Sequence, residues 1–142
     1  MSFNPTAYNT RQYEVPAIAD SATSLPVGTA LKCSSIPTGL FSPDFYYKVA
    51  VCTPTDNVFG VVSSQGVSIT DKTTSGRIVL MNAGLIPVLT EAAGKKLDYL
   101  KVSATDGKWV KCAMGDTSEA QLVEDSTAGN LAWAMPIRVT VG

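Results

Sequence analysis

The sequence predicts an all-β protein, a small barrel or sandwich, and three observations carry that expectation. Residues 76–109, GRIVLMNAGLIPVLTEAAGKKLDYLKVSATDGKW, break into short apolar runs separated by Asn-Ala-Gly, Ala-Gly and Asp-Gly. Runs rich in Val, Ile, Leu and Tyr between Gly and Asn/Asp punctuation are the grammar of antiparallel strands. Pro37, Gly39 and Pro43 cut the earlier apolar sequence in the same way. Residues 137–141 alternate cleanly, with Ile137, Val139 and Val141 on one face and Arg138 and Thr140 on the other, the pattern of a half-buried strand.

In chain order, residues 1–26 (MSFNPTAYNTRQYEVPAIADSATSLP) hold three prolines, many small polar residues and few charges. Phe3, Tyr8, Tyr13, Val15 and Ile18 are spread through them without helical or strand period. Such a segment has no core face of its own, and it is expected to be an extended N-terminal arm that docks its apolar side chains on a neighbouring subunit. A frayed terminus is the competing reading. Residues 27–142 are expected to form one β-domain. Its strands are placed at residues 29–33, 46–52, 58–63, 67–70, 78–81, 85–89, 97–102, 109–113, 131–135 and 137–141, with loops at 34–45 and 71–75 and a turn at 54–57.

Helix is expected in at most one or two short pieces. Ser118 followed by Gln121 fits a capping box, so residues 118–124 read as a short helix or a polar loop. Leu97 and Tyr99 are out of phase with Leu100 and Val102, which a bulge near Tyr99-Leu100 would reconcile. A weak echo links Gly28-x-x-Leu31 to Gly94-x-x-Leu97, and Phe59-Gly60-Val61-Val62 to Leu131-Ala132-Trp133-Ala134. Its spacing drifts between motifs, and it is not read as a repeat.

Composition narrows function. A chain of 142 residues can bury roughly 68–70% of its unfolded surface, enough for a core without staples. Only 16% of residues are charged, against roughly 25% in soluble domains, which points to a surface covered by other subunits. A compact domain with a Ser/Thr-rich surface explains the same figure. The net charge of -1 argues against nucleic-acid binding, which needs a basic patch. Lys95, Lys96, Lys101, Lys108 and Lys111 form a basic cluster interrupted by Asp98 and Asp106, read as a solvated, edge-protecting face. Cys33, Cys52 and Cys112 are odd in number and lack a CxxC, so they are expected as free, mostly buried thiols. Met1-Ser2-Phe3-Asn4-Pro5 has neither the basic start nor the apolar run of a signal peptide, and no run reaches the length of a membrane helix.

Catalytic chemistry has little to work with. The chain contains no histidine, which removes Ser-His and Cys-His nucleophiles, His-based zinc sites and imidazole acid-base catalysis. Asp56, Asp71, Asp98 and Asp106 sit in or near turns, where Asp accepts local N–H bonds. Gly60 and Gly66 bracket a stretch with no Lys and no helix start, so it is not a phosphate cradle. No catalytic residue, metal site or cofactor is expected. Tyr46, Tyr47, Trp109 and Trp133 could build a sugar-stacking platform, with core and interface packing as the alternative. Trp133, between Leu131 and Met135 on one strand face, is expected to be buried.

One further reading comes from residue order. Gly28-Thr29-Ala30-Leu31-Lys32, FGVV (59–62), GRIVLMNAG (76–84), AAGKKLDYLKVSATDGKWVK (92–111) and LAWAMPIRVTVG (131–142) follow one another along the chain. Over about residues 27–142 this resembles the capsid cement, or head decoration, proteins of tailed bacteriophages. The chain departs from the family pattern at Gly94-Lys95, where Gly-Asp is usual, at Ala132, where Gly is usual, and in an insertion around residues 34–45. The resemblance implies a β-tulip-like barrel that performs no catalysis. It implies a protein made in the host cytoplasm and carried on the outer surface of an icosahedral head. There it would bridge subunits of the major capsid protein as a homotrimer or a dimer. Arm contacts with the capsid would come from Phe3, Asn4, Tyr8, Arg11, Tyr13 and Val15, and a subunit interface from Tyr46, Tyr47 and Trp109. The alternatives are another virion or tail structural module, or a carbohydrate-binding module built on Tyr46, Tyr47 or Trp109.

Overall fold

The computed structural model describes residues 14–21, 23–63, 69, 75–81 and 84–142. Among the described residues ten strands make two five-stranded units. The first holds β1 (Glu14–Ala19), β2 (Ala30–Ser35), β3 (Tyr47–Val51), β4 (Gly60–Val62) and β5 (Gly76–Leu80). These close into a barrel in the order β1-β3-β2-β4-β5. The second holds β6 (Ile86–Leu89), β7 (Tyr99–Val102), β8 (Trp109–Lys111), β9 (Ala120–Leu122) and β10 (Leu131–Pro136), in the order β6-β10-β9-β7-β8. Among the described residues there is no helix.

The second unit repeats the first, strand for strand and register for register. In the first, β1 runs antiparallel to β5 and parallel to β3; in the second, β6 runs antiparallel to β10 and meets β8 through the parallel bridge Thr90–Trp109. Pro16 opposes Arg77 as Pro87 opposes Trp133. Each proline lies where its strand has only one neighbour, the position a strand tolerates for a residue without an N–H. Loop hydrogen bonds recur too. Gly28 N donates to Val62 O at 2.9 Å and Leu97 N to Leu122 O at 2.8 Å. Phe59 N donates to Leu31 O, and Glu119 N to Leu100 O, both at 2.8 Å. Cys52 N donates to Ala30 O at 2.9 Å and Cys112 N to Tyr99 O at 2.8 Å. The repeat is therefore real, in a register different from the echo in the sequence. Leu97 is the counterpart of Gly28, with φ of 76° against 85°, and Glu119-Ala120-Gln121-Leu122 is the counterpart of Phe59-Gly60-Val61-Val62.

Two apolar cores result. One fills the first barrel with Ala17, Leu25, Leu31, Val49, Val62 and Ile78 among others. The other joins Ala30, Cys52, Val61 and Val79 of the first unit to Ile86, Leu100, Trp109 and Leu122 of the second. Trp133 is buried at 2% exposure. Asp106 and Gly107 have φ of 50° and 67°, and Lys108 N donates to Thr105 O at 3.0 Å. Left-handed conformations at both central residues make this the tight hairpin turn that Asp-Gly favours.

Several expectations change. Residues 14–19 and Leu25 are structural parts of the barrel: β1 is paired on both sides, and Leu25, 1% exposed, bridges to Ile69 inside it. The short periodless run EVPAIA can be a strand because the barrel supplies both neighbours. The segment around Ser118 and Gln121 is β9, not a helix. Ser118 is buried, and its hydroxyl donates to Ile137 O at 2.8 Å and accepts from Val139 N at 3.1 Å, so it caps nothing. Residues 137–141 keep their alternation of exposure but form no strand. They lie irregularly along residues 115–119, with Val141 N donating to Asp116 O at 2.8 Å and a single bridge from Thr117 to Thr140. No bulge interrupts β7: Leu97 lies in the preceding turn, 62% exposed, and Leu100 and Val102 face inward together. The register shift falls instead between Cys33 and Ser35. Of the strand expected at residues 67–70 only Ile69 is described.

Candidate interaction surface

Repetition provides an internal reference for what is special in each unit. Residues 103–108 join β7 to β8 through the Asp106-Gly107 turn. The corresponding connection from β2 to β3, residues 36–46, is longer and reads IPTGLFSPDFY. The second unit makes the same strand pairing without the extra length.

The loop is hydrogen-bonded within itself. Thr38 N and Gly39 N donate to Asp44 O at 2.9 and 3.1 Å, and Phe45 N donates to Phe41 O at 3.0 Å. Phe45 stacks edge-to-face on Tyr46, with centroids 5.4 Å apart. Folding back in this way leaves the apolar tip outside. Leu40 is 83% exposed, Phe41 82% and Ile36 66%. A buried Leu, Ile or Phe is worth about 1.5–3 kcal/mol more than an exposed one, so a cluster held in water is a surface whose stabilisation is realised on contact with something else. Among the described residues nothing covers these side chains.

The residues singled out in the sequence are dispersed relative to this surface. Tyr46 is half-buried at the root of the loop. Tyr47 is half-buried in β3 and packs on Phe59 at 5.5 Å. Trp109 is fully buried, with Nε1 donating to Gly28 O at 3.2 Å. Its indole spans the two units, so it has no face to offer a sugar or a second subunit. Val15 packs against the first barrel's core. Phe3, Asn4, Tyr8, Arg11 and Tyr13 lie outside the described residues. Ile36, Leu40, Phe41 and Phe45 are not among the residues the sequence singles out; their signal is apolar side chains set among Pro37, Gly39 and Pro43, where a solvated loop would be polar.

The fold has a solved neighbour in a phage head. The N base of the head fiber gp8.5 of bacteriophage phi29 matches with a TM-score of 0.67 and 16% identity, covering 93% of this chain and 99% of that one. At that identity the match speaks to the fold, and its coverage takes in both five-stranded units. No protein-family model and no curated protein matches the chain.

Charged and nucleophilic groups serve the scaffold twice over. Asp56 Oδ2 accepts from Thr53 N at 2.9 Å and lies 3.6 Å from Lys32 Nζ. Its counterpart Asp116 accepts from Ala113 N at 2.8 Å and lies 2.7 Å from Lys101 Nζ. The Thr53 N–H and hydroxyl hold the Asp56 carboxyl below its usual range, and the Lys101 ammonium does so for Asp116, helped by Ala113 N–H. Burial pushes the Cys52 thiol up to about 12, with Asp56 and Glu119 adding to it, and burial raises Cys112 and Cys33 as well. These thiols are held protonated, the opposite of an activated nucleophile. Among the described residues no group of three or more Cys, Asp or Glu stands together to hold a metal ion.

Proposed function

We propose that this protein is a structural component of a phage head, carried on the outside of the shell and attached to the major capsid protein. The observation that carries the reading is the fold shared, over 93% of this chain and 99% of the other, with the base of a head fiber. The exposed cluster of Ile36, Leu40 and Phe41 supplies an apolar contact of the kind such attachment uses. Residues 1–13, with Phe3, Asn4, Tyr8, Arg11 and Tyr13, extend the contact along the shell. Binding the assembled shell and not its dissociated subunits stabilises the shell by mass action, with no chemistry required. Assembly as a homotrimer multiplies weak single contacts through avidity.

The test mixes the purified protein with expanded phage heads that lack decoration. Saturable binding and a higher disruption temperature are expected. Absence of binding to any head would overturn the reading and leave a tail or other virion module in its place. Light scattering distinguishes a trimer from a dimer.

A further inference from the structure

The contact between the two units uses one face of the first, and the second unit holds the equivalent face in water. In the first unit Val79 pairs with Val61 and Val61 with Ala30, so the three side chains form a row across β5, β4 and β2. Cys52 continues the row, its N–H bonded to Ala30 O at 2.9 Å. The adjoining residues Ile78, Val62 and Leu31 fill the first barrel, so strand alternation turns the row outward. Every member is 0–1% exposed, because the apolar interior of the second unit closes over it. Gly28, beside the row, is pressed so closely that a Cβ there would lie 2.7 Å from Leu89 N.

The second unit builds the row again in the same register. Met135 pairs with Gln121 and Gln121 with Tyr99, across β10, β9 and β7, and Cys112 N is bonded to Tyr99 O. Ala134, Leu122 and Leu100 take the interior, so Met135, Gln121 and Tyr99 point outward. Here the row meets solvent. Met135 is 40% exposed, Tyr99 and Gln121 are partly exposed, and Leu97, the counterpart of Gly28, is 62% exposed. Met114, in the turn just after Cys112, is 85% exposed. Met, Leu and Tyr grouped on one outer face are the composition of a contact core.

The charges along the same strands and turns are already paired. Lys101 Nζ lies 2.7 Å from Asp116, Lys111 Nζ 3.5 Å from Asp98, and Arg138 3.7 Å from Glu119. The Gln121 amide is spent within the fold, Nε2 donating to Leu97 O at 3.0 Å. The face therefore demands no opposite charge of a partner, and an identical face meets it without repulsion. What covers the row in the first unit is a five-stranded unit of this same kind, so the molecule already contains one example of the contact. In a second copy the interior of that unit is filled by its own first unit. The surface left to meet the row is the same outer row of the other copy, which places the contact on a symmetry axis.

We infer that copies of this chain associate through the outer face of β10, β9 and β7, with Met135, Tyr99, Leu97 and Met114 meeting their counterparts at a symmetry axis. The inference names the face behind the self-assembly proposed above and rests on that part of the reading, not on attachment to a head.

Light scattering and sedimentation velocity of the full chain, without heads, test it at ~1–100 μM, a range that spans micromolar dissociation constants. A dimer or trimer is expected. Leu97→Asp and Met135→Asp each place one charge per copy at the axis and should weaken association more than about a hundredfold, because like charges meet there uncompensated. Leu97 has φ of 76°, a conformation that aspartate adopts more readily than leucine, so Leu97→Asp should keep the parent's melting temperature. Leu40→Ser with Phe41→Ser should leave the mass unchanged. A monomeric parent, undiminished association in both aspartate variants, or association lost with the loop variant overturns the inference. A monomeric parent whose Leu97→Asp variant no longer co-sediments with heads assigns the face to the capsid protein instead. Dissociation by the aspartate variants in a protein that binds no head supports the face and overturns attachment alone.

Discussion

Trp109 Nε1 lies 3.2 Å from the carbonyl oxygen of Gly28, and this bond ties the second five-stranded unit to the first. The same carbonyl also accepts from Leu89 N at 3.2 Å. Trp109→Phe therefore leaves no orphaned acceptor and is expected to cost about 1 kcal/mol for the bond, plus the lost ring volume. Trp109→Ala empties a fully buried site and is expected to cost about 3–5 kcal/mol. Urea unfolding monitored by circular dichroism measures both.

Thiol reactivity should follow burial. Cys33 is half-buried, while Cys52 and Cys112 are buried and free. With its thiol pushed up to about 12, Cys52 carries almost no thiolate at pH 8. A disulfide reagent added to native protein should modify Cys33 first, and all three thiols should react only after unfolding. Rapid native modification of Cys52 would contradict its place in the core.

The twin aspartates predict a pH dependence with a definite sign. Asp56 and Asp116 are held below their ordinary value of 3.8 in the folded state. Their contribution is present above that value and is lost as pH falls through the lower folded value. Asp56→Asn and Asp116→Asn should each lower the melting temperature at pH 7, and the difference from the parent should shrink below 3.8. Glu119 works the other way. Burial raises its carboxyl above 4.5 despite Arg138 at 3.7 Å, so its contribution falls as pH rises from 4.5 toward the raised folded value. Glu119→Gln should raise the melting temperature at pH 7.

Substitutions at the loop tip should separate stability from attachment. Leu40 and Phe41 are more than four-fifths exposed, so Leu40→Ser with Phe41→Ser should change stability by no more than about 0.5 kcal/mol. Exchanging residues 36–46 for a short Asp-Gly connection like that of residues 103–108 should likewise leave both units folded. Each change should reduce binding to heads, measured by co-sedimentation. Unaltered binding would assign attachment to another surface.

Local chemistry was legible in the sequence. The short apolar runs, the Asp106-Gly107 turn, the burial of Trp133 and the turn roles of Asp56 and Asp98 all follow from residues within a few positions of one another. The duplication was harder to see, although Cys-x-x-x-Asp occurs at both Cys52 and Cys112 and marks one of its corners. The capping-box reading of Ser118 failed because its hydroxyl partners, Ile137 and Val139, come from far along the chain.

By itself the sequence determined an all-β chain of short strands without histidine chemistry, because turn preference and apolar patterning act locally. Tertiary structure alone decided that residues 14–19 are a barrel strand, that Trp109 is interior, and that Leu40 and Phe41 face water. It also decided that Met135 meets solvent where its counterpart Val79 is buried between the units. Strand partners such as Val15 and Ile78 meet across a long stretch of chain, and no local pattern encodes that choice. A barrel position constrains the size and direction of a side chain more than its identity, so the two units share a register while their sequences have drifted apart.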